Sequence, residues 1–132
     1  MTMADRFDVR VYYEDTDFSG NVYHAAYLKF LERARTEFLR THGVHHFELA
    51  KTGVAFAVRS MTIEFEAAAH IDDLLVVETK VIGATGARLS LEQAIFRNGE
   101  RLVDATLVVV AINRLGHAAR LPKEVLALTD QP

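Results

Sequence analysis

VYHAAYLKFLERARTEFLRT, residues 22–41, is the stretch on which the fold turns. Tyr23, Tyr27, Phe30, Leu31, Ala34 and Phe38 recur at helical spacing and form one apolar stripe, while Glu32, Arg33, Thr36, Glu37 and Arg40 face the other way. Twenty helical residues measure about 30 Å, the width of a small domain. Asn21 is the expected N-cap, since its side chain can accept from the first free amides. His42-Gly43 is the expected stop, with Gly43 free to adopt the left-handed conformation that ends helices.

Outward from this helix the pattern changes to a period of two. Residues 7–13 place Phe7, Val9, Val11 and Tyr13 on one face and predict a strand; residues 15–21 follow as a polar turn containing Gly20. Beyond the helix, residues 44–51 predict a second, short helix before the turn at Thr52-Gly53. Strands are expected over residues 54–66, 74–82, 88–96 and 101–113, with a turn at 83–86 and an Asn98-Gly99 hairpin turn between the last two. One long helix beside about five antiparallel strands is an α+β arrangement in which a curved sheet wraps the helix. The apolar run 107–112 requires cover on both faces, which predicts a second subunit over part of the outer surface.

Composition narrows the chemistry. The 132 residues, half of them apolar, are expected to form one domain over 1–132, because no linker, repeat or low-complexity stretch divides them. With no cysteine there is neither a disulfide nor a thiolate nucleophile nor a cysteine-ligated metal. Fifteen basic against eighteen acidic residues, with no block of one sign, argue against nucleic acid or an anionic membrane as the main partner. Residues 1–10 mix Asp5, Arg6 and Asp8 with single apolar residues, unlike a secretory signal, and the apolar run at 107–112 is too short for a transmembrane segment. A soluble, intracellular domain is expected.

The densest chemical cluster runs from Tyr12 to His24 and holds Glu14, Asp15 and Asp17 between the first strand and the helix. Acids favour helix starts for capping and dipole reasons, which accounts for one carboxylate better than for three. The first helical amides carry free N–H groups and about half a positive charge. Aimed at a carbonyl, they would stabilise the oxyanion formed on acyl transfer, while a neighbouring carboxylate attacks the carbon or takes a proton from water. A carboxylate in water has a pKa of about 4, so burial in an apolar cleft is expected to raise its reactivity. A thioester suits so modest a catalyst, because its thiol, with a pKa of about 8.5, leaves easily.

The run Tyr13-Glu14-Asp15-Thr16-Asp17, then Gly20, Val22-Tyr23-His24, Tyr27 and Glu32-Arg33-Ala34-Arg35, closely resembles the YbgC-type acyl-CoA thioesterases. These belong to the 4-hydroxybenzoyl-CoA thioesterase branch of the hotdog-fold superfamily. The likeness continues through Arg59, Met61-Thr62, Glu64-Phe65 and Asp72-Asp73 to Leu121-Pro122-Lys123, over about residues 8–128. It implies a hotdog fold, Asp17 as the catalytic carboxylate, and an oxyanion donor among the amides near His24. It further implies a site at a dimer interface, a homo-oligomer built as a dimer of dimers, and an association with the Tol-Pal envelope system from the cytoplasm. This chain departs from the usual pattern at Phe18-Ser19, Asn21 and Ala68.

Within that frame His24 is expected to bond Asp17, orient water or bond the backbone. Tyr13, Gly20, Tyr23 and Tyr27 are expected to border the substrate, although core packing explains Tyr13 and Tyr27 equally well. The coenzyme A phosphates need cationic donors, for which Arg59, Arg88, Arg120 and Lys123 are candidates, each also an ordinary surface charge. His42, His45 and His46 share a spacing that could gather imidazoles, but Gly43 interrupts it, so no metal and no cofactor apart from the substrate's own coenzyme A is expected. Two rivals stay open: a non-catalytic module that binds acyl-CoA or an acyl-carrier protein, and a hydroxyacyl-thioester dehydratase, which releases no thiol.

Overall fold

The computed structural model describes residues 5–130, so the first four and last two residues, which belong to the expected 1–132 domain and to the expected non-signal N-terminus, lie outside the described residues. Five strands form one antiparallel sheet: β1 (Asp5–Arg10), β2 (Ala55–Phe65), β3 (Leu74–Thr85), β4 (Arg88–Arg97) and β5 (Glu100–Ile112), in the spatial order β1-β3-β4-β5-β2. The long helix α1 (His24–Thr41) lies along one face; α2 (His46–Lys51) and a short α3 (Lys123–Leu126) are the other α-helices among the described residues. The arrangement is the hotdog fold.

The apolar stripe of α1 explains its place. Tyr27, Phe30, Leu31, Ala34 and Phe38 are all buried, and burying a Phe or Leu side chain fully contributes about 1.5–3 kcal/mol. Two apolar clusters result. The first joins Tyr27, Phe30 and Leu31 to Val77, Ile95 and Val103; the second joins Phe38 and Leu39 to Val81, Leu91 and Leu107. Between them runs a polar seam. Gln93 donates to the Leu31 carbonyl (3.1 Å) and to Thr79 Oγ1 (2.9 Å), and accepts from Arg35 Nη1 (3.1 Å). Burial pushes the Arg35 pKa down, against the opposing charge of Glu32.

Four expectations are corrected in detail. The first strand ends at Arg10 rather than Tyr13, because Tyr12 N–H donates to the Asp15 carboxylate and folds residues 13–15 into a 3-10 turn. Tyr13 is therefore exposed instead of sharing a face with Val9 and Val11. The helix starts at His24, two residues late, since Asn21 and Val22 are still paired with His70 and Thr16; its N-cap is Tyr23, not Asn21. The third strand continues to Thr85 past an irregularity between Val81 and Gly83, which leaves the turn at Gly86-Ala87. By contrast the Asn98-Gly99 turn is as expected, with both residues at positive φ, 51° and 82°.

The outer face of the sheet is only partly apolar. Val108 and Val110 are half-buried, as expected of a strand needing further cover, but Glu78, Lys80, Glu92 and Asp104 line a hollow beside them.

Candidate active site

Asp17 sits in a tight turn that its own neighbours build. Its N–H donates to the Asn21 carbonyl (2.9 Å), and Gly20 N–H returns to the Asp17 carbonyl (3.0 Å). Gly20 closes the turn at φ +85°, a conformation that costs other residues about 1–2 kcal/mol. Asp17 Oδ1 then accepts from the Ser19 hydroxyl, from Ser19 N–H (2.9 Å) and from Asn21 N–H (3.3 Å). Led by the Ser19 hydroxyl, these bonds hold the carboxyl below its ordinary value. The expected burial and raised basicity are not what the chain shows: the carboxylate is exposed and its pKa is lowered. Oδ2 makes no hydrogen bond among the described residues.

The start of α1 lies beside it. Tyr23 caps the helix in an extended conformation without a side-chain bond, its N–H donating to the Asp15 carbonyl at 3.3 Å. The N–H groups of His24 and Ala25 have no partner among the described residues, whereas that of Ala26 is already taken by the Tyr23 carbonyl. Two donors and the positive end of an eighteen-residue helix are thus left open.

Asp17, Asn21, Val22, Tyr23, His24 and Tyr27 form one side of a cavity of ≈ 380 Å³; Phe65, Glu66, Ala67 and Ala68 form the other. The second wall was not foreseen from sequence, because it is joined to the first only through space. Phe65 carries it: its ring centroid lies 4.5 Å from that of His24 and 5.6 Å from that of Tyr27. His24 therefore packs on Phe65, and among the described residues no hydrogen bond joins it to Asp17. Tyr27 is buried, and its hydroxyl accepts the Ala69 N–H at 2.9 Å; burial pushes the phenol upward. A hollow of similar size on the outward face of α1 is lined by Lys29, Glu32, Arg33 and Glu37, and no helix start opens into it.

Of the eight residues singled out, Asp17, Tyr23, His24 and Tyr27 share this cavity, while Tyr13, Gly20, Arg59 and Arg88 lie outside its lining. Gly20 shapes the turn behind it. Tyr13 projects from the 3-10 turn, 81% exposed. Arg59 is exposed at an irregularity in edge strand β2. Arg88 pairs with Val110, whereas Phe65 pairs with Val103, so Arg88 lies roughly 23 Å along β5 from the cavity. Among the described residues no three metal-ligating side chains converge. His42 instead faces Asp5 at 3.4 Å, and His46 packs on Phe56.

A family model described as the thioesterase-like superfamily matches residues 11–128. The acyl-CoA thioester hydrolase YbgC of Escherichia coli is 44% identical over 128 residues, 96% of each chain. The acyl-CoA thioesterase YbgC of Haemophilus influenzae is 48% identical over 124 residues, 92% of this chain and 90% of its own. Among solved structures, a probable thioesterase from Bartonella henselae is 44% identical and superposes with a TM-score of 0.86, covering 90% of this chain and 99% of that one.

Proposed function

The chain belongs to the thioesterase-like superfamily, among its YbgC-type thioester hydrolases, and from that membership we propose that it cleaves acyl-CoA with Asp17 as the reacting carboxylate. Water and the acyl-CoA give a free acid and coenzyme A. In the water-mediated form Asp17 Oδ2 takes a proton from water as the oxygen attacks the thioester carbon. The oxyanion is held by the His24 and Ala25 N–H groups, and collapse breaks the C–S bond and returns the proton to the thiolate. In the covalent form Oδ2 itself attacks, the thiolate leaves, and water cleaves the acyl-aspartyl anhydride. The observation that carries the reading is that Asp17 and the open end of α1 border the same cavity. Each oxyanion donor of this kind is worth about 2.7–4 kcal/mol.

Tyr23, Tyr27 and the Phe65–Ala68 segment supply the wall for the acyl group, and His24, seated on Phe65, orients it. Arg59 lies roughly 20 Å up β2 from Phe65 and Arg88 about as far along β5, so each is proposed as a phosphate contact only where a second subunit brings it to a cavity. The protein works as a homo-oligomer, a dimer of dimers in the cytoplasm, on CoA or acyl-carrier-protein thioesters and beside the Tol-Pal system. The openness of the cavity in one chain and the half-covered Val108 and Val110 support the oligomer. Among the described residues no helix is long and apolar enough to cross a membrane. No metal or redox step is needed for the reaction so written.

Thiol release from a panel of acyl-CoAs tests the assignment. Asp17→Asn is expected to lower kcat by about 100-fold or more with thermal stability retained; undiminished turnover would refute it. Binding without turnover in the parent would point to the non-catalytic rival, and hydration without thiol to the dehydratase. Single-turnover reaction in ¹⁸O water separates the two routes, because only the covalent one puts label into Asp17.

A further inference from the structure

We propose that Arg97, at the end of β4 and outside the cavity, is a positioning residue that fixes the segment 68–73 and through it the orientation of Asp17 and the helix start. The inference rests on the thioesterase reading for its catalytic consequence.

Arg97 Nη1 donates to the Ala68 carbonyl (3.1 Å) and to Asp73 Oδ2 (2.8 Å), and lies 3.3 Å from His70 Nδ1; Nη2 donates to Glu100 Oε1 (3.1 Å). Three of these four contacts fall on one six-residue segment. Asp73 Oδ2 also accepts the His70 N–H (2.9 Å), so the guanidinium and the segment's own backbone share one oxygen. The fourth contact ties the group to the hairpin between β4 and β5, which is part of the sheet.

The segment in turn holds the site. Val22 N–H donates to the Ala69 carbonyl (2.9 Å), Ile71 N–H to the Gly20 carbonyl (3.0 Å), and Asn21 forms a bridge with His70. Ala69 N–H reaches the Tyr27 hydroxyl. Gly20, Asn21 and Val22 lie between Asp17 and the first turn of α1, so each of these bonds sets one relative to the other. Without them, residues 66–73 form a loop with no regular structure and an exposed majority of side chains. Asp72 in it stands at φ +72°, outside the region that non-glycine residues favour. All three segment contacts are made by Nη1, which lies one bond further from the backbone than a lysine Nζ, so the shorter ammonium falls short of the segment while Nη2 holds the hairpin. Displacements of about 1 Å cost such sites up to about 100-fold in rate.

The test uses the full chain with Arg97→Gln, Arg97→Lys and Asp73→Asn, and Glu100→Gln as a control that weakens only the tie to the hairpin. Two readouts are taken. The first is amide hydrogen exchange without substrate. Arg97→Gln and Asp73→Asn should speed exchange at Val22 and Ala69 about tenfold while Leu91 in the sheet core is unchanged. The second is steady-state thiol release: kcat should fall about tenfold in Arg97→Gln with KM within about twofold, Arg97→Lys should not restore it, and Glu100→Gln should match the parent. Unchanged exchange at Val22 and Ala69 overturns the inference. So does kcat within twofold of the parent, or full activity in Arg97→Lys, even where thermal stability has dropped. A parent that releases no thiol refutes the thioesterase reading instead, and exchange at Val22 and Ala69 still decides whether Arg97 holds the segment.

Discussion

The Asp17 carboxylate, proposed as the reacting group, is held by donors and not by burial. Because the bonds from Ser19 and Asn21 lower the Asp17 pKa, and because the proposed mechanism uses the ionised form, activity should stay level as the pH falls through the mildly acidic range. It should be lost only below the ordinary carboxyl value of 3.8. Ser19→Ala removes the largest of these donors, so the acid limb of kcat/KM should move to higher pH; an unmoved limb would show that another group sets it. At Tyr27 the cost is structural. Tyr27→Phe leaves the Ala69 N–H buried without an acceptor, which should destabilise the fold by about 1–3 kcal/mol in urea unfolding. Asp17 was legible in the sequence through its motif, and so were Tyr23, His24 and Tyr27, which share its helix start. Its lowered pKa was not, since that depends on the turn pointing the Ser19 hydroxyl and two backbone N–H groups at one oxygen. Nor were Ala67, Ala68 and Arg97, which meet the site only after the sheet has formed.

The elements were legible wherever periodicity was undisturbed. The stripe of α1 stood out because each apolar residue falls at helical spacing, and the hairpin at Asn98-Gly99 because only such residues tolerate two positive φ angles in succession. Boundaries failed where pairing outlasted pattern, as at Asn21 and Val22, or where a side chain intervened, as Asp15 does at Tyr12. The C-terminal helix Lys123–Leu126 was missed because four residues hold too little of a period to read, although Val125 and Leu128 around it are buried. Nothing local marks Gln93 as a core residue either, yet it bridges α1 and β3. Gln93→Leu keeps the volume but removes the acceptor of Arg35 and the partner of Thr79. It should cost about 1–3 kcal/mol by chemical denaturation, and a neutral result would mean that Arg35 finds water instead.

Across the whole molecule two ion pairs brace the end that holds the site, and both respond to acid in the same sense. The Arg101 guanidinium holds Glu66 below its ordinary 4.5. Partial burial alone would raise Asp73, but Arg97 and the His70 N–H outweigh it and bring the carboxyl below 3.8. Folded carboxyls with depressed values contribute stability that is present above their unfolded values and disappears as pH falls through the folded ones. Thermal unfolding temperature should therefore be flat near neutrality and decline below roughly pH 4.5, and 1 M salt should lessen the decline, since the Arg101–Glu66 pair is exposed. A temperature that drops already between pH 7 and 6 would implicate histidines instead. The turn around Asp17 has one more implication. The donors that lower this acid's pKa all lie within five consecutive residues, whereas the opposing surface is supplied by the far end of an edge strand and the bend after it. Acidity and mould are thus separately adjustable: reshaping Phe65 or Ala67 should alter the wall while leaving the local donors to the Asp17 carboxylate in place.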